Sequence, residues 1–183
     1  FNRVSQGGSD NLGIADAEFF ARTPLWHGER TIVSIQPLIK LPSLYRDAGT
    51  PRGGSESFDI EIAALLGHSF AFLGSQDYVD VKFGYRERSN GLNGQWLSDV
   101  SYGTRPLDDV LLVASARGIQ AAQMDTQTFS NDGELDYDLG KLDLTAYYEI
   151  DQWRSYQLGV FAHVVGRQTG AGQGILLGMT QRF

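Results

Sequence analysis

The side chains able to do chemistry in this 183-residue chain are mostly ionisable groups set at period two. Asp16, Glu18, Arg22, Lys40, Asp59, Glu61, Asp80, Lys82, Arg86, Asp99, Arg105, Arg117, Lys141, Asp143, Glu149, His163 and Arg182 lie in stretches that alternate polar with apolar or aromatic residues. In an extended chain that spacing puts them on one face and the apolar residues on the other. Acids and bases nearly balance in the set, so two uses follow. Across a narrow space, opposite charges pair and exclude water, which is a structural role. Around a water-filled passage, the same groups form charged rings that select small solutes. Both readings stay open at the level of sequence.

Other chemistries find little support. The histidines are His27, His68 and His163. His68 and Ser69 are adjacent, so an extended strand points them to opposite faces and they share no proton. His163 is followed by Val164 and Val165, with no hydroxyl one period away. No catalytic residue is assigned, although a triad gathered from distant strands leaves no sequence trace. The acidic run Asn131-Asp132-Gly133-Glu134 with Asp136 and Asp138 lacks calcium-loop spacing and reads as a solvated loop. Gly7-Gly8-Ser9 and Gly170-Ala171-Gly172 precede no helical pattern, so neither cradles phosphate. Cysteine is absent, which removes thiolate metal sites and disulfides. No metal or cofactor is expected. A net charge of −7 argues against a nucleic-acid partner.

The elements that position these groups read as strands. Alternation runs through 12–23, then 31–41 around an awkward Pro37, then 58–66, then 78–88, where Val79, Val81, Phe83 and Tyr85 oppose Asp80, Lys82, Gly84 and Arg86. Further strands follow at 96–105, at 110–120 (apolar on both faces at its start), at 141–150 and at 156–164. Residues 1–11 read as a loop, Trp26-His27-Gly28-Glu29 as a short turn and 67–76 as a longer one. Connections near 27, 107 and 152 are short, while 42–55, 121–138 and 166–174 are long, with 88–94 between; only 67–76 breaks the rhythm. No stretch holds the ~18–20 consecutive apolar residues of a spanning helix.

The last strand, Gly174-Ile175-Leu176-Leu177-Gly178-Met179-Thr180-Gln181-Arg182-Phe183, sets Ile175, Leu177, Met179 and Phe183 on one face. A final amphipathic strand ending in Phe resembles the C-terminal signature of Gram-negative outer-membrane β-barrels. The resemblance covers about the last ten residues strictly, and the strand rhythm extends it upstream. It implies an all-β fold: an antiparallel up-and-down transmembrane barrel in the bacterial outer membrane, with lipid and lipopolysaccharide around it. Short turns opposite long loops and aromatics near strand ends agree with such a barrel.

About nine strands are legible in a single domain spanning 1–183, whereas bacterial barrels have even numbers. The expectation is therefore ten to twelve strands in the whole protein, with one or more preceding Phe1; a miscounted segment is the alternative. The polar set would face the lumen. The favoured function is a narrow pore or transporter-like channel for small solutes. Its alternatives are a non-conducting barrel that anchors a protein partner or oligomer through its long loops, and a soluble lipocalin-like ligand-binding barrel.

Overall fold

A computed structural model describes residues 2–6, 9–13, 16–42, 57–72, 75–123 and 136–181, with side chains from Asp16 onward except Ser75. Among these residues every regular element is a strand: β1 (Asn2–Gln6), β2 (Ser9–Gly13), β3 (Ala17–Phe20), β4 (Thr23–His27), β5 (Thr31–Leu41), β6 (Asp59–Phe72), β7 (Ser75–Arg88), β8 (Gln95–Leu107), β9 (Val110–Ala121), β10 (Asp138–Glu149), β11 (Arg154–Arg167) and β12 (Gln173–Gln181). β1 and β2 form a separate antiparallel hairpin. The other ten make one antiparallel sheet in the order β12-β11-β10-β9-β8-β7-β6-β5, with β3 and β4 both paired to β5 at its far edge.

The edge is one strand broken in two. Ala17–Phe20 lies along Leu41–Leu38, and Thr23–His27 along Ile35–Ile32. Pro37 explains the break. Its carbonyl accepts the Ala21 N–H at 3.2 Å, and in an antiparallel ladder a residue's N and C=O face the same neighbour. The missing proline N–H is thus turned toward this edge, where the second bond of the pair cannot form. On the other side, the Pro37–Ile62 register continues unbroken.

Counting β3 and β4 as one broken strand, the nine strands of the main sheet correspond to the nine alternating runs of the sequence, with four corrections. Residues 1–11 are not loop throughout: Asn2–Gln6 pairs with Ser9–Gly13, strands too short for period-two reading to find. Of the strand expected over 12–23, Leu12 and Gly13 belong to β2, and the edge of the main sheet is β3 from Ala17 and β4 from Thr23. Most of the expected 67–76 turn is strand, because Phe72 still pairs with Ser75. Phe70 and Phe72 simply continue the apolar face of β6. Trp26 and His27 likewise belong to β4, and the turn there is 28–30.

With that turn shortened, the connections sort cleanly. The strand ends joined by 28–30, 73–74, 108–109 and 150–153 lie at one end of the sheet, and those joined by 42–58, 89–94, 122–137 and 168–172 lie at the other. Local chemistry sets two of them. Asn90 and Gly91 both take positive φ (69° and 78°), the pair of left-handed residues that an Asn-Gly turn supplies. In 150–153, Asp151 accepts from the Trp153 and Arg154 N–H groups, each at 2.8 Å, and from the Arg154 guanidinium at 2.7 Å. The guanidinium bond first, then the backbone donors, hold the Asp151 carboxyl below the usual carboxylate range.

Both free edges, β12 and β3/β4, run from the long-connection end toward the short-turn end, and no ladder joins them among the described residues. The sheet is open. Strands of the main sheet beyond the broken edge are nine to fourteen residues long.

Glycine shapes the polar face. Gly67, Gly103, Gly159, Gly174 and Gly178 stand directly opposite Asp80, Tyr78, Thr145, Phe161 and Gln157 on the next strand, and each larger side chain leans over its glycine. A Cβ on Gly174 would meet the Phe161 ring at 2.7 Å. Gly84 has the least yielding neighbours, since a Cβ there meets the Ala63 Cβ and the Ile62 backbone carbonyl, both at 2.9 Å. Gly84→Ala is expected to destabilise the fold by about 1–3 kcal/mol through overpacking. Gly170→Ala, with nothing within 4 Å, should stay within about 0.5 kcal/mol. Urea midpoints of the two variants test the pair.

Candidate functional site

Burial along the strands is the reverse of a soluble sheet. In β6, Asp59 and Glu61 are fully buried, while their neighbours Ile60 and Ile62 are about half exposed. In β5, Ser34, Gln36 and Lys40 are buried, while Ile39 and Leu41 are exposed. The exposed apolar face continues through Phe83, Trp96, Val100, Leu142, Leu144, Leu158, Val160, Ile175, Leu177 and Met179. Its aromatics gather toward the two ends. Phe83 and Tyr85 pack on Trp96 with ring centroids 5.4 and 4.9 Å apart. Toward the short-turn end stand Phe72, Tyr102, Tyr148, Trp153 and Tyr156. The Tyr102 hydroxyl donates to Asp77 at 2.8 Å, and His68 sits 2.7 Å from the Thr31 hydroxyl beside the Phe70 ring.

The polar face carries the candidate residues, in rows fixed by the strand register. Lys40, Asp59 and Arg88 are directly paired across β5, β6 and β7 at the long-connection end. One step inward, Glu61 faces Arg86, which faces Gln95. At mid-height Lys82, Asp99, Arg117, Lys141 and His163 follow one another across five strands. Asp80 and Asp143 occupy the next row. Arg105 and Glu149 close the short-turn end. Arg182 lies outside the described residues.

The ion pairs join these rows. Lys40 Nζ is 2.6 Å from Asp59 and 3.6 Å from Asp16. Glu61 holds two cations: Lys82 Nζ stands 2.6 Å from Oε1, and the Arg86 guanidinium donates to Oε2 at 2.7 and 3.1 Å. The Lys40–Asp59 and Lys82–Glu61 contacts are close ionic approaches. Arg117 reaches Asp99 at 3.1 Å and Asp143 at 4.0 Å, and Arg105 makes a two-pronged pair with Glu149 at 2.9 and 3.1 Å. Lys141 stands 4.6 Å over the Phe161 ring. His163 Nδ1 lies 3.1 Å from the Gly170 carbonyl, which occupies it as a structural contact of the 168–172 connection.

Sequence reading omitted several members of this face. Arg88 continues the period of Arg86 and was legible. Gln95 falls two residues before Leu97 on β8 and is buried. Asp136 had no periodic signal: it comes from the acidic connection and is buried against Arg88 at 3.4 Å and against the Asn93 amide at 2.7 Å. Residues Asn131 to Glu134 lie outside the described residues. Among the described residues, no group of three or more His, Asp or Glu side chains is arranged to hold a metal ion.

Across β5, β6, β7 and β8, beside Arg22 at the break between β3 and β4, the polar face forms a recess of about 380 Å³, lined by Arg22, Ser34, Asp80, Lys82 and Asp99. Arg22 is held there by donating to Gln36 at 3.0 Å. The recess holds both signs of charge and no nucleophile–base pair, so it suits binding or passage of a polar solute better than covalent chemistry. Comparison with protein-family models, curated proteins and solved structures found no match to this chain.

Proposed function

We propose that this chain forms the wall of a membrane-spanning β-barrel with a narrow polar lumen that passes small solutes, placed in a bacterial outer membrane as its C-terminal resemblance implies. One observation carries the reading: charged side chains are buried on one face while large apolar ones are exposed on the other. Exposing that much contiguous apolar surface to water is costly, and monomeric soluble proteins rarely do so. Against lipid it is favourable. A soluble lipocalin-like barrel would need the opposite arrangement. Strand lengths support the same reading, since about 9–11 tilted residues cross a bilayer. Short turns at one end and long connections at the other agree.

A sheet in lipid keeps no free edge, because each unsatisfied backbone group costs several kcal/mol. The barrel is therefore closed in the membrane. Direct pairing of β12 with β3/β4 would be parallel, since both edges run the same way; antiparallel closure takes an odd number of further strands between them.

A non-conducting, anchoring barrel is the second reading, favoured by the Lys40–Asp59, Arg86–Glu61 and Arg88–Asp136 pairs, whose buried acids help fill the polar face toward the long-connection end. Small barrels are largely filled by side chains. Planar-bilayer recording separates the two. The pore reading expects discrete, reproducible conductance steps from a barrel that also shifts mobility on boiling. A folded, heat-shifting but silent barrel would leave the anchoring reading.

A further inference from the structure

The charges of the polar face nearly balance in number, yet they are not equally presented. In the central pairs the carboxylate lies beneath the cation. Glu61 has no exposed side-chain surface, while its partners Lys82 and Arg86 keep 28% and 18%. Arg117 is 52% exposed, against 32% for Asp99 and 17% for Asp143. Lys141 has no carboxylate within ion-pair distance among the described residues and is steadied by the Phe161 ring instead. Two carboxylates line the recess, an exposed Asp80 and the partly covered Asp99, against an exposed Arg22 and a partly covered Lys82. Arg105 and Glu149, nearer the short-turn end, are equally exposed, and Asp16 is more exposed than Lys40. The mid-height belt is thus where the bias lies.

The register explains how the bias arises. Lys82 and Arg86 lie four residues apart on β7, both leaning toward the single carboxylate of Glu61 on β6. One deep acid neutralises part of two cations whose outer surfaces stay open. Arg117 stands directly opposite Lys141, a like-charge pair that costs stability in a sheet. Two acids flank it from neighbouring positions without covering it. Field lines in a narrow low-dielectric passage follow the exposed charge, and a passing ion meets that charge first.

We infer that Lys82, Arg117 and Lys141 of the mid-height belt, with Arg86 two rows nearer the long-connection end, present a positive surface to the lumen and select small anions, although the whole chain carries −7. This rests on the pore reading above. The test is the zero-current potential of the barrel in a KCl gradient. Chloride should be preferred over potassium. Asp80→Asn and Glu61→Gln should each raise the preference roughly twofold, as removal of one unit charge near the passage implies. Arg117→Glu, at a half-exposed position where folding tolerates change, should abolish or reverse it. A conducting barrel that prefers potassium, or one indifferent to Arg117→Glu, overturns the inference while leaving the pore intact.

A silent barrel overturns the pore reading instead, and the belt is then tested in the detergent-folded protein. Inorganic phosphate should protect Arg117 and Arg86 from phenylglyoxal, and the protection should be lost in Lys82→Glu. Equal modification with and without phosphate overturns the anion site.

Discussion

Glu61→Ala should cost about 3–5 kcal/mol of folding stability, read as a lowered urea midpoint of the detergent- or vesicle-folded protein. Glu61 is fully buried and engages Lys82 and Arg86 with both oxygens. Removing it leaves two partly covered cations, four residues apart on β7, without their shared counter-charge. The loss is the penalty of the uncompensated charges rather than the intrinsic worth of the pair. A second construction makes that distinction measurable. Replacing all three residues together by apolar side chains of similar size (Glu61→Leu, Lys82→Met, Arg86→Met) should destabilise less than Glu61→Ala alone, because no charge is then left without a partner. If the triple variant is the less stable of the two, the cluster adds net stability and the desolvation account is wrong.

Leu144→Arg is the second large effect, and its size depends on what surrounds the sheet. Leu144 sits mid-strand on the apolar face, opposite Ala114 on β9 and Val160 on β11, and is 54% exposed. In lipid, an arginine near the midplane costs about 2–4 kcal/mol. In water the same change at an exposed position stays within about 0.5 kcal/mol. Tyr148→Arg, four residues along and beside the 150–153 turn, should cost only about 0–1 kcal/mol in a membrane. Folding titrations into phospholipid vesicles decide the matter. A steep difference between the two positions supports burial of this face in a bilayer. Equal, small effects would sink the membrane reading.

Much of the sheet was legible because period-two alternation is a local property. Val79, Val81, Phe83 and Tyr85 against Asp80, Lys82, Gly84 and Arg86 define a strand and its two faces without reference to anything distant. Where local signals were weak or contradictory, the reading slipped. Gly67 and Ser69 suggested a turn, yet pairing with β7 carries β6 on to Phe72, since the ladder outweighs the preferences of single residues. Pro37 was recognised as awkward, but which neighbour would lose its bond depended on the direction of its backbone groups in the finished sheet.

The polar set of residues followed from the sequence because face membership is fixed by parity once a strand is known. Partner choice did not follow. Lys82 is directly opposite Leu65 and Asp99 in register, yet its ammonium goes diagonally to Glu61. Asp136 joins Arg88 across 48 positions with no periodic cue. The sequence by itself therefore determined the strands, their two-faced character and the near balance of charge, all consequences of neighbours along the chain. Only the tertiary structure decided that the polar face is the buried one, which carboxylates lie beneath which cations, and how the edges run. Those depend on strand register and on the distances between side chains of different strands, which alternation along one strand does not encode.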